Sequence, residues 1–307
     1  MKTLIIISLL GTTAFAGQFT SIIAFGDSLA DTGNAYIGTG GTTPPSPPFY
    51  PGVFSNGPNW LQYLGAGLGL PVVPFLGGGT NFAIGGATTG IDGAVPNTGV
   101  LAQASFYGVT VGNVYDPNAL YVLTGGGNDI RLAAGVTSDP FALYGTGKAA
   151  ASNLLNIALG LYFGGARNFM FMTLPDVGLA PDVMALGKSV EAGIATKGFN
   201  DVIGGLPGSS AGARLYKVDF AGLAAAIYDD TNNNGSKKYG FTNLTTPCIG
   251  SFPDTCATSI FFDDLHPTAR VQQLLGQAAL AQVPEPATAL LLGAGLGLAA
   301  WARRRAA

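Results

Sequence analysis

Ser28, Asp263 and His266 are the side chains in this sequence that could together deliver an oxygen nucleophile to a carbonyl carbon. The chain has a single histidine, so an imidazole base, if the chemistry uses one, is His266. Asp263 stands three residues earlier, close enough across a turn for its carboxylate to accept the ring N–H and hold the tautomer that a serine triad needs. A histidine before a proline is ordinarily a loop residue, and one histidine cannot supply a multi-histidine metal site. Ser28 comes just after an apolar run, residues 21–25, and Gly26. That order puts it past the end of a strand, where open α/β sheets bind their ligands and a following helix presents free N–H groups. Capping that helix is the other role open to Asp27 or Ser28.

Attack on a carbonyl leaves negative charge on oxygen, and two glycine-containing stretches could receive it. In GTNFAIGGA, residues 79–87, Gly85 and Gly86 allow a close backbone approach to a ligand with no Cβ in the way. A tight turn at positive φ accounts for the same pair. In TGGGND, residues 124–129, Asn128 follows a strand-like run and three glycines. Its carboxamide could donate to a developing oxyanion or cap a helix. No GxxxxGK[ST] phosphate loop occurs, and GxGxxG is missing from the strand-to-helix context that gives it meaning.

FGDSLADTGN at 25–34, GTNFAIGGA, TGGGND and DDLHP at 263–267 stand in the order of the signature blocks of the GDSL hydrolases, the SGNH superfamily. The chain resembles that family from residue 21 to about residue 281. The resemblance implies Ser28 as nucleophile, His266 as base and Asp263, rather than Asp264, as the acid of the matching DxxH. It implies an oxyanion hole made by the N–H groups of Ser28 and Gly86 and the side chain of Asn128; counting from Asn81 selects Gly86 over Gly85. It implies acyl-ester substrates, no cofactor and no metal. FSNG at 54–57 and LPDVGLAP at 174–181 are similar to further family segments. Acyl length and head group are expected to depend on the loops at 38–58 and 87–118.

These residues need a frame that gathers distant stretches at one place. Strand-like runs recur at 21–25, 80–84, 119–124, 168–173 and 215–219, and helix-like stretches at 59–68, 140–162, 182–203 and 268–281. Strands alternating with helices predict a parallel sheet covered on both faces. The expected fold is therefore a three-layer α/β/α sandwich with a central, mainly parallel sheet of about five strands, flavodoxin-like as in the SGNH hydrolases. A chain of 307 residues with 48% hydrophobic and 10% charged content can bury one large core. Its 47 glycines show no triplet period, which excludes collagen. A net charge of −3 leaves no footprint for nucleic acid.

Both ends read as addresses around a single domain at 17–282. Residues 1–16 carry Lys2, an apolar run and Ala14-Phe15-Ala16 before Gly17, the pattern of a signal peptide. Residues 283–307 hold VPEP, an apolar run at 287–301 and Arg303, Arg304 and Arg305. That run is shorter than the roughly 20 residues that span a bilayer comfortably. The order resembles the PEP-CTERM sorting tail of Gram-negative bacteria, which implies an exosortase-type protease as partner and a membrane helix before processing; a plain terminal anchor that stays in place is the other reading of the tail. Export to the cell envelope or outer surface follows, and in that compartment Cys248 and Cys256, the only cysteines, predict a disulfide. The run 230–235 starts like a calcium loop, but Phe241 occupies the twelfth position where a glutamate belongs, so an Asn-Gly turn is expected. An exported serine esterase or lipase is the function these features predict. A polysaccharide O-acetyl esterase or acyltransferase on the same site, and an envelope-anchored binding protein on a hydrolase fold, are the alternatives.

Overall fold

Short runs of β-branched and aromatic residues are buried along their whole length only in a sheet covered on both faces. β1 (Ile22–Phe25), β2 (Leu120–Leu123) and β3 (Asn168–Met172) meet that condition in the computed structural model, which describes residues 19–251 and 256–283. With β4 (Ser209–Ser210) and β5 (Ala213–Val218) they form a five-stranded sheet in the order β1-β2-β3-β5-β4. Ile22 pairs with Leu120, Leu120 with Asn168 and Asn168 with Arg214, all in parallel. Only the short β4 runs antiparallel to its neighbour. The expected α/β sandwich with a mainly parallel sheet is the fold observed.

The nine described helices are α1 (Asn34–Gly38), α2 (Trp60–Leu68), α3 (Val100–Thr110), α4 (Gly127–Val136), α5 (Pro140–Phe163), α6 (Pro181–Ala185), α7 (Ser189–Gly204), α8 (Phe220–Asn234) and α9 (Ala269–Gln282). Alternation along the strands sends side chains to two separate cores. Ile23, Phe25, Tyr121, Leu123, Phe169 and Phe171 pack against α3, α4, α5 and α7. Ile22, Ala24, Leu120, Val122, Met170 and Met172 pack against α2, α8 and α9. Because four strands are parallel, their carboxyl ends share one edge, and the loops that leave β1 and β2 there carry Ser28 and Asn128, whereas Gly86, Asp263 and His266 come from segments outside the sheet.

Several elements differ from expectation. Residues 80–84 run beside β1, with Phe82 N–H donating to Ala24 C=O, but they make isolated bridges rather than a strand. The Asn81 side chain there serves the loop after β1, and glycines bracket the segment. The helix expected at 182–203 is two helices, α6 and α7, parted at Gly187, where φ is +67°. The helices α1, α3, α4 and α8 were not predicted. Residues 230–234 finish α8, and Gly235 ends it in the left-handed conformation. The Asp230 carboxylate accepts the N–H groups of Lys238 and Tyr239. No helix among the described residues is long and apolar enough to cross a membrane. The leader at 1–16 and the apolar run and arginines of the tail lie outside the described residues.

Candidate active site

Gly26 ends β1 because a Cβ there would stand 2.3 Å from Thr124 Oγ1 at the end of β2. Gln103 of α3 clamps the turn, accepting from Gly26 N–H and donating to Gly26 C=O, each at 2.9 Å. No helix follows Ser28 directly, since α1 begins only at Asn34; residues 28–30 form a turn that Asp27 closes, its carboxylate accepting Leu29 N–H at 3.0 Å and its carbonyl accepting Ala30 and Asp31 N–H. Burial pushes the Asp27 carboxyl up to about 6, against the pull of Leu29 N–H and of the His266 charge. With Asp27 closing the turn, the Ser28 side chain is left to other work.

That work is a hydrogen bond of 2.8 Å between Ser28 Oγ and His266 Nε2. On the far side of the ring, His266 Nδ1 lies 2.7 Å from Asp263 Oδ2. The N–H groups of Leu265 and His266 hold the other carboxylate oxygen. Burial pushes the Asp263 carboxyl upward, but the bonds and charge of His266 and the backbone donors outweigh it, leaving Asp263 below the usual carboxylate range. An ionised Asp263 accepts from Nδ1–H and so presents the Nε2 lone pair to the serine hydroxyl. The FSNG stretch braces this arm. The Phe54 ring lies 5.1 Å from the imidazole, centroid to centroid. Ser55 Oγ donates to Pro267 C=O at 2.8 Å, and Ala269 N–H donates to Asn56 at 2.7 Å.

Asn128 sits in the first turn of α4, where Gly126 takes the cap position. Its carboxamide donates to Ala87 C=O at 2.8 Å, which brings the third block against the second. Gly85 N–H is already engaged by the Asp31 carboxylate at 2.9 Å. Gly86, at φ +82°, has no acceptor for its N–H among the described residues, and neither has Ser28. A Cβ at Gly86 would meet Ala94 Cβ at 2.7 Å. Ser28, Asn128 and His266 line one cavity, whereas Gly86 lies outside its wall.

The residues that hold the first two blocks together were not singled out from the sequence. The Asp31 carboxylate accepts the N–H groups of Gly33, Asn34, Ala35 and Gly85. Burial raises its pKa although all four donors work against that. Asn34 donates to the carbonyls of Asn81 and Ala83 and accepts Leu76 N–H. Asn59 donates to Asp31 C=O, and Asn81 to Ala30 C=O and Thr32 Oγ1. Buried carboxamides and a carboxylate satisfied this fully fix one loop against another. The signal was present in DTGN, a run of residues that bond their own backbone, but its other partners, Asn59, Leu76, Asn81, Ala83 and Gly85, are far off in the chain.

The cavity beside Ser28 has a volume of about 110 Å³. None of the residues at 38–58 or 87–118, expected to shape it, contributes to its wall. Its sides come from the 174–180 segment after β3, from α8 and from residues 260–271. The Cys248–Cys256 disulfide lies behind that last segment, packed against Phe262. Cys248 and Ile249 N–H donate to the carbonyls of Phe261 and Phe262.

The family model for GDSL-like lipase/acylhydrolase matches residues 22–279, and the PEP-CTERM protein-sorting motif matches residues 282–306. The chain is 28% identical to the thermolabile hemolysin of Vibrio parahaemolyticus over 293 residues, covering 86% of this chain and 63% of that protein. It is 33% identical over 200 residues to a phosphatidylcholine-sterol acyltransferase of Aeromonas hydrophila, covering 61% and 55%. An acetylesterase of Thermothelomyces thermophilus is 26% identical over 291 residues, covering 84% and 86%. The chain thus spans less than two-thirds of the hemolysin and of the acyltransferase, and the names of its relatives point to different acyl groups and acceptors.

Proposed function

The chain belongs to the GDSL-like lipase/acylhydrolase family, and from that premise we propose that it is an exported serine hydrolase that cleaves carboxylic esters through an acyl-enzyme. The observation that carries this is the unbroken line of hydrogen bonds from Ser28 Oγ through His266 to Asp263 at a cavity. In the reaction His266 Nε2 takes the Ser28 proton as Oγ bonds to the ester carbonyl carbon. The oxyanion is received by the free N–H groups of Ser28 and Gly86 and by the Asn128 carboxamide. His266 then returns its proton to the departing alkoxide. Water, deprotonated by the same nitrogen, attacks the acyl-Ser28 carbonyl; as the carbon–Oγ bond breaks, His266 returns that proton to Ser28 Oγ and the acid is freed. Asp263 holds the ring and balances the imidazolium formed in each half.

Sorting to the envelope is carried by the PEP-CTERM motif. Residues 1–16 act as the leader, 17–282 as the hydrolase domain and 283–307 as a tail that holds the membrane until an exosortase-type protease removes it. A short-chain chromogenic ester tests the activity. Ser28→Ala should lower kcat by about 10⁵- to 10⁶-fold, the scale found when a triad nucleophile is removed, with the thermal midpoint nearly unchanged. Wild-type protein inert toward every acyl length would end the proposal, and so would full activity in the variant.

A further inference from the structure

The cavity at Ser28 extends well past the reacting atoms. It runs along α8, where Phe220, Ala224, Ile227 and Tyr228 line it. Steps of four, three and one residues put these side chains on one side of a helix. β5 delivers α8 at the same sheet edge as Ser28, so Phe220 is the near end of the row and Tyr228 the far end. Between them the helix rises about 12 Å. Ile260 and Val271 line the same cavity and belong to the same apolar cluster as Phe220 and Ile227. Tyr228 is pinned, its hydroxyl donating to Leu244 C=O at 3.0 Å. Ala224 is the smallest side chain of the row and leaves the space open midway.

Along α8 the wall offers no free polar side chain, since Tyr228 is committed to Leu244 C=O. Elsewhere Ser28, Asn128 and His266 belong to the reacting centre, Asp27 accepts Leu29 N–H, Asp176 accepts Gly178 N–H at 2.9 Å, and Arg131 is paired with Asp182 through one terminal nitrogen, leaving its Nε as the one buried polar side-chain atom of this wall without a partner among the described residues. Sugar hydroxyls placed along α8 would lose water and gain no partner, which costs free energy. An acetyl group would leave the channel unfilled. We propose that the cavity takes the hydrocarbon chain of a fatty-acid ester, laid along α8, and that Ala224 and Tyr228 set how long an acyl chain the protein accepts. This rests on the esterase function of Ser28 and narrows its substrate to esters whose acid half is a hydrocarbon chain and whose alcohol half stays outside.

A panel of p-nitrophenyl esters from acetate to palmitate, with the full chain and its variants, tests it. Wild-type kcat/KM should climb about fourfold for each added methylene while the chain still lies against apolar wall, then level off. Ala224→Phe should lower the octanoate-to-acetate ratio of kcat/KM by about tenfold or more. Tyr228→Ala should move the plateau to longer chains, an opposite shift that serves if the first variant does not fold. Ethyl octanoate should outperform octyl acetate, because only the acid half enters the channel. A profile that falls from acetate upward, a ratio untouched by both variants, or equal gain from a chain on the alcohol side would overturn the proposal while leaving the esterase standing. Failure of every ester, together with failure of an organophosphonate to label Ser28, would remove the esterase function itself.

Discussion

Asp27 is a buried carboxyl beside the reacting serine, and its raised pKa sets a sign for the pH dependence of stability. The folded protein holds this proton up to about 6, whereas the ordinary value is 3.8. Between those values the native state binds more protons than the unfolded chain, so stability falls as pH rises, by a total of about 3 kcal/mol for this group. Asp27→Asn should therefore gain thermal midpoint over the wild type by more at about pH 7 than at about pH 4; a difference that does not vary with pH contradicts the assignment. Asp263 works in the opposite sense. Its lowered pKa contributes stability above the unfolded value that is lost as pH falls through the folded one. For the oxyanion, Asn128→Ala should reduce kcat by about 10²- to 10³-fold, with a smaller change in KM. At this scale the reacting groups were legible because chemistry restricts them to few residue types and the chain offers one imidazole. Asp31, Asn34, Asn59 and Asn81 were not, since a buried role for a short polar side chain depends on carbonyls elsewhere in the sequence.

The helices α5 and α7 pack so closely that backbone meets backbone. A Cβ on Gly147 would stand 1.8 Å from Ala195 C=O, and one on Gly198 would stand 2.2 Å from Tyr144 C=O. Gly147→Ala should cost about 1–3 kcal/mol or more by forcing the helices apart, read as a lower urea midpoint; an unchanged midpoint would mean that the helices can separate freely. Elements with long apolar runs and clear stops, such as α5 and the strands β1, β2, β3 and β5, were readable in advance, whereas β4 was not foreseen and residues 80–84 did not become a strand. Four helices were hidden for separate reasons, α1 because it is only five residues long. α4 starts within a glycine triplet that reads as a turn, α3 mixes glycine with β-branched residues, and α8 closes on DDTNNN, whose side chains favour loops when considered alone. The omission of α8 matters most, because it is the wall of the cavity, and the loops expected in its place shape other surfaces.

Over the whole molecule, four distant stretches meet: two leave the carboxyl ends of β1 and β2, the segment at 80–84 bridges to β1, and the segment before α9 brings His266 to Ser28. Nothing local in the sequence announces that meeting; only the order of strands and helices implies it. Export adds a prediction that belongs to the entire chain. Mass spectrometry of the envelope form from its native host should find a chain that begins at Gly17 and ends near Pro284, and an intact leader and tail would refute both cleavages. The single imidazole, bonded on both ring nitrogens, has one more consequence. Magnetic resonance of the intact protein contains one histidine ring and therefore needs no assignment. An inhibitor on Ser28, a step in pH or Asp263→Asn would each register on that same signal, so the molecule carries its own spectroscopic reporter at the reacting atoms.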